Sequence, residues 1–229
     1  MAEFLQIEVL PVVLTIAAYW VGTLLQKKFK TALLNPILIG MAIVVVFLVT
    51  TGMDTALYSA GTAKLSWLMT PATISLAIPM YEQLQVLKKN GKAILAGAAA
   101  GAITCVVVLM GAGIAIKMDS TILVSVMPKS VTAAIGVPLC ELFGGIGAVT
   151  TASIAVTGIC ANMLGVSFCK WFGITDPVAQ GVAFGTAGHV IGTAKASEVS
   201  PLTGAVSSLS LVVAGLLTAV LFPVLVRFL

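Results

Sequence analysis

Five ionisable side chains, Lys129, Glu141, His189, Lys195 and Glu198, stand inside or against long apolar runs. A charge held at the centre of a membrane costs roughly 2.5–3.5 kcal/mol or more, so such groups are candidates for function by default. Lys129 follows Pro128 and leads into Ser130-Val-Thr132. One ammonium and two hydroxyls gathered at a proline break suit the binding of a carboxylate. His189, the single histidine, lies within Gly185-Thr-Ala-Gly-His-Val-Ile-Gly-Thr193. It could contact substrate or carry a proton near neutral pH, or serve as a hydrogen-bonded core residue. Lys195 and Glu198 are three residues apart and could neutralise each other on one helix face. Glu141 could pair with Lys129 or Lys195, or could sit where its segment reaches water. Thr73, Ser75, Thr186 and Thr193 add hydroxyls, although Ser and Thr also bond their own helix backbone.

These residues fall in a pattern that occurs three times. Ser130-Val-Thr-Ala-Ala-Ile-Gly-Val-Pro-Leu-Cys-Glu141 aligns without gaps on Pro71-Ala-Thr-Ile-Ser-Leu-Ala-Ile-Pro-Met-Tyr-Glu82 and on Ala187-Gly-His-Val-Ile-Gly-Thr-Ala-Lys-Ala-Ser-Glu198. The closing glutamates are 59 residues apart (82 to 141) and 57 apart (141 to 198). An apolar stretch of helix length follows each, and Gly147–Gly158 also matches Gly204–Gly215. The expected repeats run over about 67–117, 121–171 and 178–228. Repeated hydrophobic segments interrupted by Gly and Pro point to the binding site of a transporter. The ends of half-helices there would favour anions.

The elements that position these residues belong in a membrane. The chain has 229 residues, 59% hydrophobic and 9% charged, with a mean hydropathy of +1.14. Soluble domains carry about 25% charged residues. The runs 93–116, 142–169 and 199–226 contain no Asp, Glu, Lys or Arg, and each exceeds the roughly 20 residues that cross the hydrocarbon core. The expected fold is an all-α polytopic membrane protein with seven or eight hydrophobic segments. Its Gly/Pro-broken helices would surround a central site.

Spans are expected over 5–25, 32–51 (entered at Asn35-Pro36), 93–116, 146–169 and 203–227. Broken segments are expected over 67–87, 121–142 and 178–198, with an exposed loop over 52–66. The first apolar run reads as a retained span, since it lacks the basic n-region of a signal peptide. Lys27, Lys28 and Lys30, and Lys88, Lys89 and Lys92, form two basic clusters. By the positive-inside rule both would be cytoplasmic and the N-terminus outside. Proline removes a helix hydrogen bond, and in lipid the freed groups need protein or water partners. Pro128, Gly136 and Pro138, and Gly185, Gly188 and Gly192, are thus expected at breaks or hinges that line a cavity. Glycines four apart, such as Gly181/Gly185 and Gly188/Gly192, also serve close helix packing. The whole reads as one domain.

Several functions find no support in the sequence. Basic runs are short and aromatics few, which argues against nucleic acid. The four cysteines form no C-x-x-C pair and read as small apolar packing residues. The lone histidine has no second ligand at metal-binding spacing. There is no nucleophile elbow and no phosphate-binding loop, so neither an enzyme nor a cofactor is expected.

Pro128-Lys-Ser-Val-Thr132, Glu141 to Gly145, and Gly181-Val-Ala-Phe-Gly-Thr-Ala-Gly-His-Val-Ile-Gly-Thr-Ala-Lys-Ala-Ser-Glu198 resemble the LrgB family. That family includes the CidB proteins and the LrgB-like half of the plastid glycolate/glycerate transporter. The likeness covers nearly the whole chain. It implies a location in the bacterial cytoplasmic membrane and one of two functions. One is transport of small organic acids such as glycolate, glycerate or pyruvate. The other is an antiholin-like role, modulating a holin-like partner that affects murein hydrolase activity and lysis. A passive anion channel is a third possibility. The resemblance also implies a small LrgA-type membrane partner. It carries over Lys129, Ser130, Thr132, Glu141, His189, Thr193 and Lys195 as candidate substrate-binding residues. The many small-residue faces suit a homo-oligomer such as a dimer.

Overall fold

The computed structural model describes residues 9–29, 34–68, 71, 74–75 and 77–229. Its regular structure is helical, as expected. The chain forms two compact units, Met1–Ser75 and Leu76–Leu229.

The first unit holds α1 (Leu10–Phe29), α2 (Pro36–Thr51) and α3 (Thr55–Trp67). Asn35 caps α2 by accepting the Ile37 N–H at 2.8 Å, and Pro36 takes the first turn, where its missing N–H is harmless. The backbones of α1 and α2 come close at Gly22, where a Cβ would lie 2.7 Å from the Pro36 carbonyl oxygen. Thr15 and Tyr58 share a hydrogen bond of 2.7 Å, which ties α1 to α3. The loop expected over 52–66 is a helix instead. Gly52, at φ 66°, ends α2, and the Asp54 carboxylate caps the next helix at Ala56 N–H, 2.9 Å away. Asp54 therefore starts a helix rather than marking a loop, and Gly61 is buried within it.

The second unit begins with α4 (Ala77–Glu82), then α5 (Leu84–Ala115) after a break at Gln83. Pro79 falls inside α4, and Thr73 lies outside the described residues. Helix α5 starts earlier than the apolar run that predicts it. Lys88, Lys89 and Lys92 form its first turns, since Leu, Gln and Lys are all good helix formers. At 32 residues it exceeds the roughly 20 that span the hydrocarbon, which leaves the lysine-bearing turns room to protrude.

A turn at Lys117 and an Asp119 cap lead into α6 (Ser120–Val126). The chain then leaves helical geometry and resumes as α7 (Ala133–Leu142). The interruption covers Pro128 to Thr132. Gly136 and Pro138, also expected to interrupt, lie within α7. Gly144, at φ 80°, ends that helix, with Gly145 N–H returning to the Cys140 carbonyl at 3.0 Å. Helix α8 (Gly147–Trp171) follows, and Gly173 closes it in the same way. Asp176 and Pro177 open α9 (Pro177–Val199), with Asp176 accepting from Ala179 N–H. Helix α10 (Pro201–Leu225) and a 3-10 turn complete the chain.

Among the described residues, four helical stretches are long and apolar enough to cross a membrane: Leu10–Phe29, Leu84–Ala115, Gly147–Trp171 and Pro201–Phe228. The α9/α10 pair packs most closely. A Cβ at Gly181 would lie 2.7 Å from the Thr203 carbonyl oxygen, and one at Gly185 would overlap that of Ser207. The paired glycines therefore serve close backbone approach.

Candidate functional site

Helix α9 is interrupted at His189, whose backbone (φ 42°, ψ −140°) is far from helical. An L-residue held in so sparsely populated a region costs of order 1–3 kcal/mol and persists only where its surroundings fix it. The surroundings are visible. The ring is 3% exposed, and its Nε2 lies 2.8 Å from the Ile154 carbonyl oxygen on α8. That oxygen only accepts, so Nε2 carries the proton and donates. Asn162 Nδ2 donates to the Ile191 carbonyl at 3.3 Å, a second clip between α8 and the interrupted helix. Thr193 Oγ1 donates to the His189 carbonyl and shares a 2.8 Å bond with Ser207. Gly158 on α8 makes room for the ring, since a Cβ there would lie 2.5 Å from His189 Cε1.

The other break, between α6 and α7, is held from both sides. The Ser125 hydroxyl accepts the Ile146 N–H at 2.7 Å, and Thr150 Oγ1 donates to the Ser125 carbonyl at 2.8 Å. At the break Lys129 Nζ donates to Ser130 Oγ at 3.3 Å, and Ser130 Oγ meets Cys105 Sγ of α5 at 3.0 Å. An ammonium has three N–H donors, and Ser130 takes one of them. Thr132 occupies the N-cap of α7 without a side-chain cap bond, its carbonyl accepting from Gly136 N–H.

Lys129 borders a cavity of about 450 Å³ between α8 and α9. Leu164, Phe168, Phe172, Ile174 and Phe184 form much of its wall, with Thr157, Cys160 and Cys169 among them. Among the described residues that line it, Lys129 is the one charged group. Gly165 leaves space for the Phe184 ring. Beyond Ser130, a second cavity of about 10 Å³ is bordered by Pro128, Cys105, Thr186 and Thr218. It has the size of one water molecule.

The structure thus brings Lys129 to the larger cavity, sets Ser130 beside it on the water-sized one, and buries His189 and Thr193 as braces. It does not bring the remaining candidates there. Lys195 Nζ pairs with Glu198 Oε2 at 2.7 Å, with the two side chains 30% and 67% exposed. Glu141 is exposed beside Gly147 and forms no ion pair with Lys129 or Lys195. Glu82, Glu141 and Glu198 each occupy the last or next-to-last position of a helix. Gly188 faces Ala161, and Gly192 faces the Phe184 carbonyl across the break.

The α8 wall is not legible in the sequence. Thr157, Ala161, Leu164 and Phe168 recur at helical spacing and share the cavity. A helix apolar on every side offers no contrast by which one stripe stands out.

No solved structure matches this chain. The LrgB-like family matches residues 15–228. Similar curated proteins include the antiholin-like protein LrgB of Bacillus mycoides (strain KBAB4), of Bacillus cereus (strain B4264) and of Bacillus anthracis (strain CDC 684 / NRRL 3495). Each is 35% identical over 218 residues, covering 95% of this chain and 95% of the relative. An all-helical integral membrane protein with these signatures, matched over nearly its full length, belongs to the LrgB-like family.

Proposed function

We propose that this chain passes small organic anions across a bacterial cytoplasmic membrane, without enzymatic chemistry, and that the anion's carboxylate binds at Lys129. The observation that supports this reading is the Lys129 ammonium on the wall of an apolar cavity, at a helix break. Among the described residues no carboxylate pairs with it, and only Ser130, a neutral acceptor, holds one of its donors. A bound carboxylate would supply both the counter-charge and the missing acceptors, and charge-assisted bonds of this kind are the strong ones. The hydrogen-bonded braces at His189 and Ser125 would keep the two breaks in register around it.

A second reading has separate support. The relatives are named antiholin-like protein LrgB, and that name favours a regulator of a holin-like partner over a carrier. Transport rests instead on the Lys129 geometry. An LrgA-type protein is the expected partner under either reading.

Counterflow of labelled glycolate, glycerate and pyruvate in proteoliposomes separates the two, with the chain alone, with an LrgA-type protein, and with Lys129→Gln. Saturable counterflow abolished by the substitution supports the carrier. Counterflow only with the partner makes this chain one subunit of a two-component carrier. A lack of flux in both preparations, with lysis control intact in Lys129→Gln cells, overturns transport in favour of the regulator.

A further inference from the structure

The cavity at Lys129 is larger and less polar than a two- or three-carbon hydroxy acid needs. Sites of roughly 300–1,000 Å³ accommodate drug-sized ligands, and this one measures about 450 Å³. Beyond Lys129, its side-chain polar groups are the Thr157 hydroxyl and the thiols of Cys160 and Cys169. A hydroxy acid seated here would leave its own hydroxyls poorly matched, and an unsatisfied buried polar group costs about 1–3 kcal/mol. A hydrocarbon body would instead cover Leu164, Phe168, Phe172 and Phe184.

We infer that the preferred ligand is an amphipathic monocarboxylate, with its carboxylate on Lys129 and an alkyl or aryl body along the α8 wall. This rests on the transport reading above. The same chemistry could arrive as a free acid from water or as a fatty acid from the bilayer. Val156, Leu164, Phe168 and Phe172 are themselves exposed, so the cavity opens along α8.

The test is a chain-length series on the purified full chain in nanodiscs, with dissociation constants measured by calorimetry. The probes are acetate, butyrate, hexanoate, octanoate, glycolate and octan-1-ol. Each buried CH₂ strengthens binding up to about fourfold. Affinity should therefore climb from acetate to octanoate, with octanoate bound far more tightly than glycolate, and the gain should vanish in Lys129→Gln. Cys160→Phe, which fills the cavity, should shorten the chain length at which affinity stops rising. Displacement of octanoate by palmitate placed in the nanodisc supports the class with the bilayer as source; displacement by water-borne acids alone supports it with solution as source. Glycolate and octanoate binding equally, both through Lys129, would overturn the inference and leave the carrier reading standing. Octan-1-ol matching octanoate would overturn it by removing the carboxylate's part. Acids that bind identically in wild type and Lys129→Gln would remove the Lys129 site on which both rest.

Discussion

Lys129 combines two properties that conflict in an unliganded membrane protein: it is a cation, and it faces an apolar cavity with Ser130 as its hydrogen-bond partner. A neutral side chain of similar length would suit the folded state better, because a poorly compensated charge in such surroundings is costly. Lys129→Met should therefore leave the detergent-solubilised protein at least as heat-stable as wild type. The same variant should lose carboxylate affinity by about ten- to a hundredfold, the worth of hydrogen bonds to a charged group. Calorimetry beside a thermal melt reads both effects. A variant that melts well below wild type would show Lys129 to be a structural residue. The signal for Lys129 was open in the sequence, as a lysine wedged between Pro128 and Ser130 inside an apolar run. The same reasoning singled out His189, and the structure shows it turned away from the cavity and bonded to Ile154. A histidine's identity says nothing of which way its backbone aims it. Gly158 carries no signal of its own in the sequence, because its role exists only opposite the ring. Gly158→Ala should drive a methyl group into His189 and cost about 1–3 kcal/mol by overpacking. Gly111→Ala, with nothing within 4 Å, should be neutral or stabilising by about 0.5–1 kcal/mol. Thermal unfolding of the two variants side by side measures the contrast.

At the scale of the helix, the interruptions in the second and third repeats fall at positions that the sequence alignment pairs, Thr132 and His189. Each is followed by ten residues of helix, Ala133–Leu142 in one case and Val190–Val199 in the other. The proline and glycine content announced that these segments were broken but located the breaks poorly. Gly136 and Pro138 lie within α7, while the α9 break falls on the one residue of Gly188-His-Val-Ile-Gly192 that needs the ring clip to hold it. A break sited by tertiary contacts leaves little trace in local propensity. The strain at His189 gives a test. His189→Gly and His189→Ala both lose the bond to Ile154, but only glycine adopts φ 42° freely. The glycine variant should be the more stable of the two by about 1–3 kcal/mol, a difference read from their melting in detergent. Equal stabilities would mean that the backbone at 189 relaxes once the ring is gone.

For the molecule as a whole, hydrophobicity made the membrane class, most span positions and the turns at Asn35-Pro36, Gly144-Gly145 and Asp176-Pro177 legible. Helix α3 was not, because the residues that read as loop marks, Asp54 and Gly61, also serve as cap and buried packing position. The cavity was not legible either, since it depends on how α8 and α9 sit side by side rather than on any motif. All residues that line it, from Lys129 to Ala187, belong to the unit Leu76–Leu229. So do the clips that hold its two breaks, at Ser125, Thr150, Asn162 and His189. If that unit contains the whole binding site, a chain starting at Leu76 and inserted in nanodiscs should bind the same carboxylates with affinity within about threefold of the full chain, a difference under 1 kcal/mol. A shortened chain that folds, judged by a helical circular dichroism spectrum, yet binds no carboxylate would show that this unit does not hold the whole site.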